Sequence, residues 1–190
     1  MNAKTVGFAM CGSFCTFERV LPQLQALKDL GANVIPILSE AAYNTDTRFG
    51  SAEHFRQNIE SICAHRILHT LTDVEPFGPK KLLDLLIVAP CTGNTLGKLA
   101  GGITDSCVTL AVKAHLRNER PVLLAVSTND ALSASAPNIG KLLNTKHIFF
   151  VPMRQDNAEK KPTSVVADFD KIPEAAKAAV QEKQLQPILL

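Results

Sequence analysis

Short β-rich runs alternate with longer segments of helical periodicity, and this alternation is the feature that most constrains the fold of this sequence. Strands are predicted at residues 5–10, 33–38, 85–89, 121–127 and 147–151, with a weaker candidate at 66–71. Alternation of this kind is typical of a parallel sheet that is covered by helices on both faces. The sequence therefore predicts an α/β fold of three layers around a central parallel sheet.

Helices are predicted in the intervening segments, at residues 16–30, 51–64, 105–118, 138–143 and 172–184. In the first of them, Val20, Leu24 and Leu27 recur at helical spacing, and Gly31 is the expected C-cap. Asp105 is expected to cap the helix that follows it. Residues 152–168 match neither pattern and are interpreted as a lid or interface loop that is poorly ordered in an isolated protomer.

Composition narrows the possible functions. A chain of 190 residues fits a single domain, residues 1–190. Twenty Lys and Arg residues against 18 Asp and Glu give a net charge of +2 without a basic stripe, so nucleic acid is not the expected partner. The sequence begins with a short apolar strand rather than a signal peptide, and no apolar run approaches membrane-spanning length. We therefore expect a cytoplasmic protein that is not bound to a membrane.

The five cysteines are scattered, which is not typical of a disulfide framework, and we expect them to be reduced. Cys11 and Cys15 lie four residues apart, but no second Cys or His pair follows at zinc-site spacing, so no metal site is predicted. Cys91 follows a buried strand and is interpreted as a small buried residue rather than a reactive thiolate.

Small polar residues follow four of the predicted strands. They occur at residues 10–16, at Ser39, at residues 90–106 and at residues 127–138. In parallel sheets of this kind, ligands bind at the carboxyl ends of the strands, where helix N-termini present free N–H groups. The segment that contains Thr92, Gly93 and Asn94 has the composition of a neutral anion cradle suited to a phosphate monoester. The four junctions together predict one ligand cleft.

The segments APCTGNT (89–95) and AGGITDS (100–106) resemble the A-P-x-T-x-N-T hallmark of a flavoprotein family and the glycine and aspartate that follow it. This family contains homo-oligomeric, flavin-containing cysteine decarboxylases and flavin prenyltransferases, and the resemblance covers roughly residues 4–152. It implies a Rossmann-like fold, FMN as cofactor and a homo-oligomer. By the same resemblance, the residues expected near the FMN phosphate are Gly12, Ser13, Ser39, Asn94 and Thr95, and those expected near the ribityl chain or ring are Thr92, Ser127, Thr128 and Asn129.

The sequence departs from the decarboxylases at the positions that would carry their chemistry. His69 is the only candidate for the histidine that they place before the A-P segment, and Asn129 is all that remains of their P-x-M-N-x-x-M stretch. These two residues are the candidate catalytic groups. Three functions stay open: an FMN-associated oxidoreductase subunit for a small dicarboxylate, a decarboxylase of a cysteine-containing substrate, and a partner subunit that retains only the phosphate site. The cations considered for the substrate carboxylates are Arg48, Arg154, Lys160 and Lys161.

Overall fold

The computed structural model describes residues 1–190 and contains one seven-stranded sheet. The strands are β1 (Thr5–Met10), β2 (Asn33–Leu38), β3 (Leu85–Cys91), β4 (Val122–Thr128), β5 (Ile148–Phe150), β6 (Met153–Asn157) and β7 (Lys161–Ala167). The helices are α1 (Phe17–Asp29), α2 (Glu40–Asn44), α3 (Ala52–Cys63), α4 (Leu71–Val74), α5 (Phe77–Lys80), α6 (Gly93–Gly101), α7 (Cys107–Leu116), α8 (Ala136–Leu143) and α9 (Ile172–Val180).

The sheet is parallel from β2 through β1, β3 and β4 to β5. Beyond this core, β7 pairs antiparallel with the end of β4, and β6 pairs antiparallel with β7. Because β5 uses residues 122–124 of β4 and β7 uses residues 127–128, the two strands share one edge of β4. The mainly parallel α/β sheet predicted from the alternation is confirmed.

Two apolar clusters cover the two faces of the sheet. Alternate residues of β3 belong to different clusters: Ile87 packs with α1, α3 and α9, whereas Val88 packs with α6, α7 and α8. Every residue of β3 is buried, which explains why its sequence is continuously apolar instead of alternating. The three layers therefore follow directly from the pattern of the sequence.

Two local predictions are wrong. Residues 66–71 do not form a strand: Leu68 makes a single bridge to Ile37, and α4 begins at Leu71 after a capping box of Thr70 and Asp73. Asp105 does not cap α7, because the Ser106 hydroxyl accepts the Thr109 N–H and the Thr109 hydroxyl accepts the Ser106 N–H. In each case a capping box sets the helix start.

Residues 152–168, predicted to be an irregular lid or interface loop, instead form the β6–β7 hairpin, so the prediction of irregular structure is wrong. Contact of this segment with a neighbouring protomer stays a prediction. Val165, Val166 and Ala167 are buried, and β7 continues the sheet at Ser127 and Thr128. The outer part of the hairpin is polar and exposed, and the Asn157 side chain accepts N–H groups at its tip. Because the tip of the hairpin is polar, the sequence of this segment does not indicate that its base is well packed.

None of the helices has the length and apolar character needed to cross a membrane. The last residues of the chain pair with the β6–β7 hairpin. The Met153 N–H donates to the Ile188 carbonyl, and the Leu190 N–H donates to the Met153 carbonyl. The segment 188–190 therefore extends the sheet beside β6.

Candidate ligand-binding cleft

A cleft of about 790 Å³ lies at the carboxyl ends of β1, β3 and β4, and the β6–β7 hairpin forms one of its walls. This volume is within the range of about 300–1,000 Å³ that is typical of cofactor and small-molecule sites. A smaller cavity of about 410 Å³ lies between the end of α6 and helices α7 and α8, and half of the residues that line it are apolar. The larger cleft is the one in which polar groups from several strand ends converge.

The floor of the cleft joins the first and fourth strands. The hydroxyls of Ser13, after β1, and Ser127, near the end of β4, are 2.8 Å apart. This hydrogen bond spans the end of β3, which lies between the two strands in the sheet. Gly12 lines the cleft next to Ser13, so that the Ser13 hydroxyl and the Gly12 backbone, which carries no side chain, both face the cleft. The sequence correctly predicted that these two junctions meet.

The N-terminus of α6 faces the cleft from the third strand. The Thr92 side chain accepts the Thr95 N–H at 3.4 Å, and the backbone N–H groups of Gly93 and Asn94 have no partner within the protein. The Asn94 side chain is exposed in the cleft. Free N–H groups at the positive end of a helix, together with a side-chain amide, are suited to bind a phosphate group.

Asp130, which was not predicted from the sequence, also lies at this end of the cleft. Its carboxylate accepts the Thr128 hydroxyl at 2.5 Å and the Ser135 hydroxyl at 2.9 Å. Gly93 makes this arrangement possible, because a Cβ at position 93 would lie 2.6 Å from Thr128 Oγ1 and 2.8 Å from Asp130 Oδ1. The cradle predicted to be neutral is therefore next to a carboxylate. The sequence feature that could have identified Asp130 is its position, as an acidic residue, between two hydroxyl-rich segments.

Most of the predicted cofactor-binding residues come together in the cleft. The lining includes Gly12, Ser13, Thr92, Asn94, Ser127, Thr128 and Asn129.

Three predicted site residues lie outside the cleft lining. Ser39 caps α2 by accepting the Ala42 N–H at 3.2 Å, and the Thr95 hydroxyl is buried and donates to Cys11 Sγ at 3.2 Å. His69 stacks on Tyr43 with ring centroids 3.7 Å apart. In each case the side chain has a structural partner in the folded chain.

Of the four cations considered from the sequence, only Lys161 lines the cleft. Arg48 lies over the Phe49 ring, with Cζ 4.9 Å from its centroid. Arg19 of α1, which was not among the cations predicted from the sequence, lines the cleft as well. Nothing in the sequence around this helical arginine indicates that its side chain lines the cleft.

The cysteines of the region fall into two groups. Cys11 and Cys91 are buried, and loss of solvation raises the pKa of each thiol, so both are protonated at neutral pH. The interpretation of Cys91 as a small buried residue is confirmed. Cys15 is exposed and lines the cleft.

In parallel α/β sheets, a cleft at the carboxyl edge of the strands is the usual place for a ligand to bind. The Flavoprotein family model matches residues 1–181, and the chain belongs to that family. The resemblance inferred from the 89–106 segment is therefore confirmed, as is the Rossmann-like fold.

Two relatives of nearly the same length are B subunits of dipicolinate synthase. The B subunit from Bacillus subtilis (strain 168) is 43% identical over 190 residues, which are 100% of this chain and 95% of that protein. The crystal structure of the B subunit from Bacillus halodurans C matches with a TM-score of 0.92 at 44% identity, covering 100% of this chain and 98% of the other. The FMN-dependent cysteine decarboxylase SpaF matches with a TM-score of 0.67 at 20% identity, covering 95% and 97% of the two chains. At that identity the likeness shows the fold alone.

Proposed function

We propose that this chain is the flavoprotein-type subunit of a dipicolinate synthase, which oxidises dihydrodipicolinate to pyridine-2,6-dicarboxylate during sporulation. The observation that carries the proposal is the similarity to two B chains of dipicolinate synthase over the whole length, at 43% and 44% identity. The oxidation removes two electrons and two protons from the dihydropyridine ring, and FMN supplies the acceptor for them when bound.

The residues of the cleft fit FMN. The hydroxyl of Ser13, the Asn94 amide and the free N–H groups of Gly93 and Asn94 are donors for its phosphate. Thr128 and Asn129 provide polar contacts beside them for the rest of the cofactor. The fold is shared with FMN-dependent enzymes, which supports the same cofactor here.

The proposal includes partners. Because the two relatives are B chains of their synthase, a second type of chain is implied, and we expect a dipicolinate synthase A subunit to act with this one. Flavoprotein relatives are oligomeric, so we also expect this chain to form a homo-oligomer in the cytoplasm. The small dicarboxylate is the expected substrate.

The test is reconstitution of the purified chain with FMN, followed by assay with the A subunit. Binding is measured by the change of flavin absorption, and product formation by the ultraviolet absorption of pyridine-2,6-dicarboxylate. We expect stoichiometric FMN and a product yield that requires both chains and the flavin. Product formation at the same rate without FMN would contradict the flavin-dependent oxidation.

A second candidate is a partner chain that retains the cleft but uses no flavin, and the position of Asp130 favours it. A carboxylate beside the N-terminus of α6 opposes a phosphate dianion at the same place. A colourless protein that cannot be reconstituted with FMN, but is still required by the A subunit, would support this function. Decarboxylation of a cysteine-containing substrate is the weaker alternative, since no histidine lines the cleft.

Replacement of Asp130 with asparagine tests the electrostatic part of this argument. If phosphate binds at the α6 N-terminus, the Asp130→Asn protein is expected to bind FMN about threefold to tenfold more tightly, because a like charge is removed. Asp29→Asn is the matched control, on the exposed surface of α1 outside the cleft, and is expected to leave FMN affinity unchanged. Isothermal titration calorimetry measures both. Unchanged affinity in the folded Asp130→Asn protein would place the phosphate elsewhere.

A further inference from the structure

Charge is distributed unevenly in the cleft. Its charged lining residues are Arg19, Asp130, Asp156 and Lys161. Asp130 lies beside the α6 N-terminus, whereas Lys161 and Asp156 belong to the hairpin wall and Arg19 to α1. Both cations therefore belong to elements other than α6, whose N-terminus provides the N–H donors.

Arg19 has a fixed platform and no carboxylate partner. Its guanidinium carbon lies 5.1 Å from the centroid of the Phe169 ring, which is fully buried. No ion pair is formed between Arg19 and any Asp or Glu of the chain. Cation–π stacking holds a guanidinium in place while its planar edge stays free for a carboxylate.

Lys161 lines the cleft from the hairpin wall. Its ammonium group lies 2.6 Å from Asp156 Oδ2 on the other strand of the hairpin. The hydrogen bond and the charge of Asp156 raise the pKa of Lys161, and Cys15, on the turn that leads into α1, also contributes. Lys161 and Cys15, on the turn before α1, both line the cleft. Both partners of the Lys161–Asp156 pair are partly exposed, so the ammonium group is available to a bound anion.

We propose that Arg19 and Lys161 form the carboxylate-binding end of the cleft and that each binds one carboxylate of a small planar dicarboxylate. This inference rests on the proposed function and assigns its substrate site to residues of this chain. Arginine binds a carboxylate through two parallel N–H groups, and lysine provides a point charge that tolerates variable geometry. Two cations in one cleft, one on α1 and one on the hairpin, favour a ligand with two negative groups over one with a single negative group.

The test is calorimetric titration of the full chain with pyridine-2,6-dicarboxylate and, separately, with pyridine-2-carboxylate. Each titration is run with saturating FMN and again without FMN. We expect the dicarboxylate to bind at least about tenfold more tightly than the monocarboxylate. Arg19→Gln and Lys161→Gln are each expected to lower dicarboxylate affinity by about tenfold. The controls, Arg48→Gln and Lys160→Gln, remove cations that do not line the cleft and are expected to change it less than twofold.

FMN affinity of the same four proteins separates the possible explanations. If Arg19→Gln and Lys161→Gln lower FMN affinity but not dicarboxylate affinity, the two cations serve the cofactor phosphate and the proposal is overturned. Equal binding of the two pyridine acids by the unaltered protein, or equal loss in the control variants, would overturn it as well. Failure to bind FMN at all would contradict the flavin-dependent function, while the titrations without FMN would still decide the carboxylate site.

Discussion

Replacing Asn94 with aspartate is expected to weaken FMN binding by at least about tenfold, or about 1.4 kcal/mol. The Asn94 amide lies at the α6 N-terminus, in the cleft, and can donate to a phosphate oxygen, whereas an aspartate carboxylate cannot. The substitution also places a second negative charge near Asp130. Loss of a donor and repulsion between like charges act in the same direction.

Three controls make this experiment specific. Asn94→Ala removes the donor without adding charge and is expected to give a smaller loss than Asn94→Asp. Asn58→Asp makes the same chemical change on α3, outside the cleft, and is expected to bind FMN normally. Circular dichroism checks folding, which should be retained because an acidic residue in the first turn of a helix is favourable. Equal FMN affinity of folded Asn94→Asp and unaltered protein would remove Asn94 from the phosphate site.

The stability of the chain is expected to fall by about 2 kcal/mol between pH 7 and pH 5 through one buried histidine. Burial lowers the pKa of His115 from its ordinary value of 6.5 to about 4, although its hydrogen bond to the Pro121 carbonyl opposes the shift. As the pH falls below about 6.5, the unfolded chain therefore binds a proton that the folded chain does not. Unfolding is favoured progressively until the pH reaches about 4, where His115 of the folded protein is protonated too.

Urea unfolding at pH 7 and pH 5 measures this loss, and His115→Gln is the matched variant. Glutamine can keep a donor for the Pro121 carbonyl but does not titrate, so its free energy of unfolding should change less over the same interval. The same loss in His115→Gln as in the unaltered protein would assign the pH dependence to other groups.

The sequence predicted the parts of this fold whose signals are local. β1 and β2 were predicted with their observed ends, since apolar runs bounded by turn residues define them completely. The β6–β7 hairpin was missed because its stability comes from pairing with the end of β4, far away in the sequence, and not from its own polar tip. Residues 66–71 were misassigned for the opposite reason, since a locally apolar run there makes only one bridge.

The residues of the candidate site also divide into those that a local sequence pattern predicted and those whose position depends on packing. Ser13, Asn94 and Ser127 were predicted at strand ends and do meet in the cleft. Ser39 and Thr95 were expected beside them, but a hydroxyl after a strand can equally bond to its own helix or to a buried thiol. Asp130 and Arg19 were missed because their positions depend on packing: one approaches α6 where Gly93 has no side chain, and the other rests on Phe169.

The Ser13–Ser127 hydrogen bond joins residues 114 positions apart, and the cleft wall beyond it extends to Val166. During synthesis, the A-P segment and its helix therefore leave the ribosome long before the walls that complete their binding site. An amino-terminal fragment that ends before the hairpin would contain most of the recognisable motif and lack one side of the cleft. The shortest piece of this chain that contains every residue lining the cleft accordingly runs from Gly12 to Val166.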